Sequence, residues 1–481
     1  MDNSRSATTR YLCAAAYLDA AFADEVIDQV VEQEHRAIGA CHGVDLVPVV
    51  RHSLAARQLH ALRNWALGLV LAGVVLGGVL LDGGQVTFWT LLLLFWGVVM
   101  TEQCTVRFGV IAGRLLPRNF DPDPVSVRPT RQQQRRLDEI ARDQDGNVTA
   151  YSGFTPFVGA GRRLDPWSFA VNVCVGKREE LGGRREPKAF EVEELYDHVT
   201  EELAAMSLPG LELEDRLYVN GRDVREQGPV FFDAAGERPR AAVAPEVVTA
   251  FLRRPTHAVR HYKVIRVTDW QGELVWSMFL RFVRVADSLF VESSDFLLLP
   301  VKERYHQIDA IRPLPTLQDL VRVALASLWT AAALSLLWPL FAARKAMRWF
   351  RQASERRGVR RELRGDHFFD FGAAVSLRER ASSGHYQHYF QQLDKQMYAK
   401  LLQRRVLALV VEFLDDHDID TSELAERQST ILNNGVMVSG GTLQAESLAV
   451  GEGAVATVVN RLGQVIRKAT PAAQPGGGKA G

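Results

Sequence analysis

Two uncharged apolar runs constrain this chain more than anything else in it. WALGLVLAGVVLGGVLL occupies 65–81 and VTFWTLLLLFWGVVM occupies 86–100, separated only by Asp82-Gly83-Gly84-Gln85. Crossing a bilayer takes about 20 predominantly apolar residues in a helix. Each run is a little shorter, but Leu62 and the stretch through Cys104 supply the missing turns. The pattern predicts a helical hairpin over 62–105 in contact with lipid. Glycines in the first run suit close packing between helices in a membrane. The alternative, a hairpin buried in a soluble core, has to hide two adjacent runs at once. Arg51, Arg57 and Arg63 precede the hairpin and Arg107, Arg114 and Arg118 follow it, with Asp82 at its tip. Lys and Arg concentrate on the cytoplasmic side of membrane helices, so both ends are expected in the cytoplasm and the protein in the cell membrane, multi-pass, with most of the chain cytoplasmic.

A third run, VALASLWTAAALSLLWPLFAA at 323–343, is also long enough to span. It creates a conflict. One more crossing would export everything after it, yet the next 21 residues, RKAMRWFRQASERRGVRRELR, hold nine Arg or Lys. A re-entrant or interfacial helix resolves this if its basic extension lies on anionic headgroups. Inverting the whole topology is the other solution. The segment 316–364 is therefore read as a third membrane helix with a basic extension.

Length and charge narrow the rest. A chain of 481 residues holds more than one domain. Basic and acidic residues balance at 57 each, which gives no reason to expect a nucleic-acid partner. Cys13, Cys41, Cys104 and Cys174 are scattered, without CxxC pairs or histidines at zinc-finger spacing, so neither a disulfide framework nor structural zinc is expected. The N-terminus lacks the apolar core of a cleaved export signal and reads as an amphipathic helix.

The soluble parts predict an α+β fold. Residues 1–61 form a helical lead-in, and 115–144, with prolines around FDPDPVSVRP, a juxtamembrane linker. Residues 145–312 form the main α+β domain. LYVNGRDV at 217–224 reads as strand and turn, and 261–301 holds several β-rich runs. Asp269-Trp270-Gln271-Gly272 turns between two of them, as in an antiparallel meander. AFEVEELYDHVTEELAAM at 189–206 and PEVVTAFLRR at 245–254 are helical. Helix returns over 366–427, with Tyr398, Leu402, Val406, Leu409, Val410 and Phe413 on one stripe. A tail at 470–481 is too rich in glycine to pack.

Chemistry is sparse. Gly159-Ala160-Gly161 followed by Arg162 and Arg163 has the parts of an anion site, with backbone N–H groups beside guanidinium forks. It lacks the Lys-Ser/Thr of a P-loop and the third glycine of a dinucleotide fingerprint, so a tight turn beside a solvated Arg pair is the plainer reading. Gly159, Gly161, Arg162 and Arg163 are the candidate ligand-binding residues. His385 and His388 share a helix face without a third ligand. DDHDIDTSELAE at 415–426 resembles a cation loop, but Thr421 and Arg427 stand where an EF-hand needs glycine and glutamate. Asp420 before Glu423 reads as a helix cap. No metal, no cofactor and no catalytic residue is expected.

The end of the chain carries a repeat. GVMVSGG at 435–441 aligns with SLAVGEG at 447–453 at an offset of twelve, matching Val436 with Leu448 and Val438 with Val450. AVATVV at 454–459 continues the alternation. Short, weakly charged β-prone units pair edge to edge between chains, so Val436, Val438, Leu448 and Val450 in 431–460 are the candidate partner-binding residues. Asn433, Asn434, Gly435 and the glycines at 440, 441, 451 and 453 resemble Asn/Gly/Val-rich C-terminal motifs of an uncharacterised actinobacterial membrane protein family. They are more distantly similar to amyloid-type signalling motifs of bacterial defence systems, whose central Gln/Gly-His pattern is missing here. That resemblance implies homotypic assembly. YSGFTPFVGAG and FFDFGAAVSLRE resemble the same membrane family, which implies no activity.

The reading that follows is a membrane-anchored, non-enzymatic signalling or scaffold protein. It would contact the lipid bilayer and use its C-terminal repeat for self-association or for recruiting a protein partner. The rival is a ligand sensor or enzyme with an anion site near Arg162 and Arg163.

Overall fold

The computed structural model describes residues 6–81, 84–122, 129–164, 166–179, 183–232, 238–365, 369–422, 424, 457–459 and 465–467. Contacts divide the chain into two units. The first holds Met1–Ala170 and Phe190–Ala399, the second Val171–Ala189 and Lys400–Gly481.

The first unit opens with two capped helices, α1 (Ala7–Leu18) and α2 (Ala20–Val26). Ser6 accepts from the Thr9 N–H, and Asp19 from the N–H groups of Ala21 and Phe22, satisfying first-turn donors that have no partner inside the helix. After a π-helical turn at Ile27–Glu32 comes α3 (Leu46–Leu81), then α4 (Gly84–Cys104), which continues as a π-helical stretch, Thr105–Leu115. The expected hairpin is thus a pair of helices. At its base Glu102 accepts from Arg63 Nη1 at 3.0 Å and sits 2.9 Å from His60 Nδ1. The predicted linker contains α5 (Arg131–Asp143), opened by a Thr130/Gln133 capping box.

The sheet is built from β1 (Val148–Tyr151), β2 (Arg162–Arg163), β3 (Trp167–Asn172), β4 (Leu211–Asn220), β5 (Val259–Asp269), β6 (Leu274–Val285) and β7 (Ser288–Leu298). Its order is β1-β4-β5-β6-β7-β2, with β3 also on β7. β4 to β7 form the expected antiparallel meander, while β1 joins β4 in parallel. Trp270 and Gln271 take φ of 52° and 54° at the β5–β6 turn. Side chains hold that strained geometry: Tyr398 donates to Asp269 at 2.7 Å and Trp270 Nε1 to Asp394 at 2.9 Å. Two predicted helices appear as α6 (Val192–Ala205) and α7 (Pro245–Arg253), and a short α8 (Glu303–His306) follows the sheet.

A long helix, α9 (Leu317–Gly365), covers the third apolar run and its basic extension. It packs against the hairpin around Leu67, Phe95, Val99 and Ala331, and Trp96 Nε1 donates to the Ala324 carbonyl at 2.9 Å. Trp89–Leu115 and Leu317–Leu334 are each long and apolar enough to cross a membrane. The chain then rejoins the body through Phe369 and Phe371, buried with Leu217, Val219 and Val259, before α10 (Leu377–Ala381) and α11 (Tyr389–Asp416). The fold is therefore α+β.

In the second unit, the later turns of α11 bury Leu402, Val406, Leu409, Val410 and Phe413, the stripe expected from the sequence. The acidic run is consumed by ion pairs. Asp415 pairs with Lys177 at 2.5 Å, and Asp418 with both Arg185 and Lys188 at 2.9 Å. Asp420 accepts from the Ser422 N–H, as a cap does. Two short strands, β8 (Thr457–Val459) and β9 (Val465–Arg467), pair antiparallel. Val436, Val438, Leu448 and Val450 lie outside the described residues.

Candidate functional site

The first unit contains a cavity of about 440 Å³, within the range of ligand pockets, roughly 300 to 1,000 Å³. Six parts of the chain wall it. The segment Ala37–Leu46 leads into α3, Asp143–Asp145 closes α5, β1, β4 and Arg266 of β5 supply the floor, and Arg238–Ala241 passes across.

The floor follows from strand alternation. Successive side chains point to opposite faces, so Glu212, Glu214 and Arg216 share one face of β4. Arg266 stands directly opposite Glu212 on β5. The four form one chain of charge-assisted bonds. Arg216 donates to both oxygens of Glu214 at 3.2 and 3.1 Å and to Thr149 at 3.1 Å. Arg266 donates to Glu214 at 2.6 Å and to Glu212 at 3.3 Å. Arg216 and Arg266 are buried, and guanidinium groups tolerate this only when paired.

These charges set the protonation states. Burial pushes the Glu214 carboxyl up, but Arg266 and Arg216 outweigh it and hold the group well below the usual carboxylate range. His42, on the cavity wall, is driven well below its ordinary value by burial and then by the same two arginines. It is neutral at pH 7. With Arg216, Arg238, Arg240 and Arg266 facing Asp45, Asp143, Asp145, Glu212 and Glu214, the lining has one acidic charge in excess. Cys41 also lines the cavity, but burial pushes its thiol up, which disfavours the nucleophilic thiolate. The arrangement suits binding of a polar molecule that offers donors and acceptors together.

The Gly159–Arg163 loop does not line the cavity, although Gly159 packs against Ala40 of its wall. Gly159 and Gly161 adopt φ of 93° and 89°, conformations that favour glycine. Their N–H groups do cradle an anion, and it is a side chain of the protein. The Glu379 carboxylate accepts from Gly159 at 3.1 Å and also from Gly161. Arg162 and Arg163 are exposed and pair with Leu297 and Phe296 on β7. His388 stacks on Trp270, with ring centroids 5.6 Å apart, and His385 lies beside Ser383. Among the described residues no group of three or more His, Cys, Asp or Glu is placed to hold a metal ion.

Residues of the cavity were not singled out from the sequence. Their one local signal is LELEDR at 211–216, where apolar and charged residues alternate as in a strand with a charged face.

A family model described as an AbeC-like domain matches residues 166–444. That span includes the charged strands β4 and β5, Glu379 and α9. The hairpin and the cavity wall at Ala37–Leu46 lie outside it. No curated protein and no solved structure matches the chain.

Proposed function

The chain belongs to the AbeC-like domain family, and we propose that it is a membrane-anchored signalling or scaffold protein with its body in the cytoplasm. One observation carries the reading. Around their shared apolar contact α3, α4 and α9 turn large apolar side chains outward, with Trp65 74 %, Leu69 70 % and Trp329 82 % exposed. A contiguous apolar exterior of that kind needs lipid or protein to cover it, and tryptophan favours the membrane interface. The arginines flanking the hairpin support a cytoplasmic body by the positive-inside rule.

The C-terminal repeat at 431–460 supplies the recruiting surface in this reading, through homotypic strand pairing. Its likeness to amyloid-type signalling motifs supports that role. Two measurements test the proposal. The full chain should resist carbonate extraction from membranes, and release into the soluble fraction would sink the anchor. Deleting 431–460 should lower the oligomeric state or remove co-purifying partners, and an unchanged profile would remove the assembly role.

The buried Arg216–Glu214–Arg266–Glu212 chain favours a second reading, in which the body is a ligand sensor. Its lining of interleaved charges, with one acid in excess, matches a polar ligand that carries a positive charge. The solubilised chain, incubated with small-molecule pools sorted by ion exchange, should enrich species from the cationic pool. Glu212→Gln, which leaves the lining without net charge, should shift enrichment toward uncharged species. Absence of any enrichment would end the sensor reading.

A further inference from the structure

Both ends of α9 meet the same body. On its N-terminal side, Arg10 pairs with Asp309 at 2.5 Å and Ile311 packs on the helical core formed by α1 and α3. On its C-terminal side, Val359 already packs against the sheet core. Phe371 N–H then donates to the Gly221 carbonyl at 3.0 Å and Ala373 N–H to Ala150 at 2.9 Å. A folded body with buried charges such as Arg216 and Arg378 lies on one aqueous side of a membrane, because moving such groups into hydrocarbon is prohibitive. The chain therefore enters and leaves α9 on the same side. An odd number of crossings is excluded.

The hairpin also packs on α9: Ala331 and Leu334 cluster with Leu67, Val70, Leu91, Phe95 and Val99 of α3 and α4. Charge then distinguishes the two halves of α9. Leu317–Leu334 is apolar enough to enter lipid, while 344–364 carries nine Arg or Lys against two Glu.

We propose that α9 is a monotopic membrane helix lying in the leaflet that faces the body, its first half among acyl chains and its basic second half on anionic lipid headgroups. Leu325, Trp329 and Leu340 are exposed, as lipid contact requires. Helices of this kind bind through buried apolar area together with attraction to anionic lipid. The inference rests on the membrane-anchored reading above and adds the partner and the topology of this one segment.

Two arms test it on the full chain. In cells, Gln85→Cys, Arg312→Cys and Ala353→Cys are each labelled with a membrane-impermeant maleimide and compared with the unsubstituted protein. Positions 312 and 353 should label together, from the side opposite to 85. Labelling of 353 from the side of 85 would overturn the proposal. In vesicles, trypsin cleavage within 344–364 should be several-fold slower with phosphatidylglycerol present than in phosphatidylcholine alone. That protection should vanish in high salt and in a chain carrying R356Q, R357Q, R360Q and R361Q. Equal cleavage in both vesicles would overturn the headgroup contact. Loss of the whole chain from the membrane on carbonate washing is a distinct result and would defeat the anchored reading itself.

Discussion

The Ala37 N–H donates to the Phe371 carbonyl at 2.8 Å, tying the segment before the hairpin to the segment after α9. Gly372 follows directly, packed so closely that a Cβ there would meet the Tyr151 carbonyl oxygen at 2.2 Å. Neither backbone can yield without breaking its sheet contacts. Gly372→Ala should destabilise the body by about 1–3 kcal/mol, the usual cost of forced overpacking. Denaturant unfolding, followed by tryptophan fluorescence, measures it. An unchanged midpoint would contradict the close approach.

Glu214 makes stability depend on pH in a defined direction. Its folded-state carboxyl is depressed, so its contribution is complete above the ordinary glutamate value of about 4.3 and is lost as pH falls below that value. Glu214→Gln should cost about 3 kcal/mol at neutral pH by leaving two buried guanidinium groups short of a counter-charge. It should also flatten the decline in stability between neutral and acidic pH. Unfolding curves of both proteins across that range test the pair of effects. Parallel slopes would show that Glu214 is not the coupled group.

Glu379 occupies the cradle of Gly159 and Gly161, which accounts for how the loop's glycine pattern arises without an external ligand. Glu379→Ala leaves buried N–H donors unpaired, at a cost of about 1–3 kcal/mol. Inorganic phosphate should then raise the melting temperature of the variant in a saturable way and leave the parent unaffected. If phosphate stabilises both equally, the anion site lies elsewhere.

Much of the architecture was legible because it is local. Apolar runs at 65–81, 86–100 and 323–343 announce long helices, and Asp269-Trp270-Gln271-Gly272 announces its turn. The site was not legible, because its parts are distant in the chain. His42, Thr149, Glu214, Arg238 and Arg266 share no motif, and strand register alone places Arg266 opposite Glu212. Glu379 stands 220 positions from Gly159, so nothing local to the loop could show that a side chain of the same chain accepts from it. The topology conflict at the basic extension has the same origin. Charge counting treats each apolar run separately, whereas the contacts of Val359 and Phe371 show where the chain goes next.

Trp329 tests the lipid-facing surface directly. It is 82 % exposed on the apolar half of α9. Trp329→Asp should weaken membrane association by about 3 kcal/mol, the scale of placing a carboxylate in the apolar layer. A matched substitution on the body surface, Val285→Asp at a position also apolar and exposed, should not. Carbonate-resistant yield reads the difference, and equal yields would place Trp329 away from lipid.

The link from Ala37 to Phe371 also fixes an order of events during synthesis. The backbone bonds of Phe371 and Ala373 to the body wait for residues that emerge after the hairpin and after α9. Both apolar segments are thus exposed on the ribosome while the body is still open, a setting in which unburied apolar surface aggregates readily. The cavity, assembled from strands and from a loop near residue 40, draws its walls from both sides of the hairpin and can close only after the hairpin has been made.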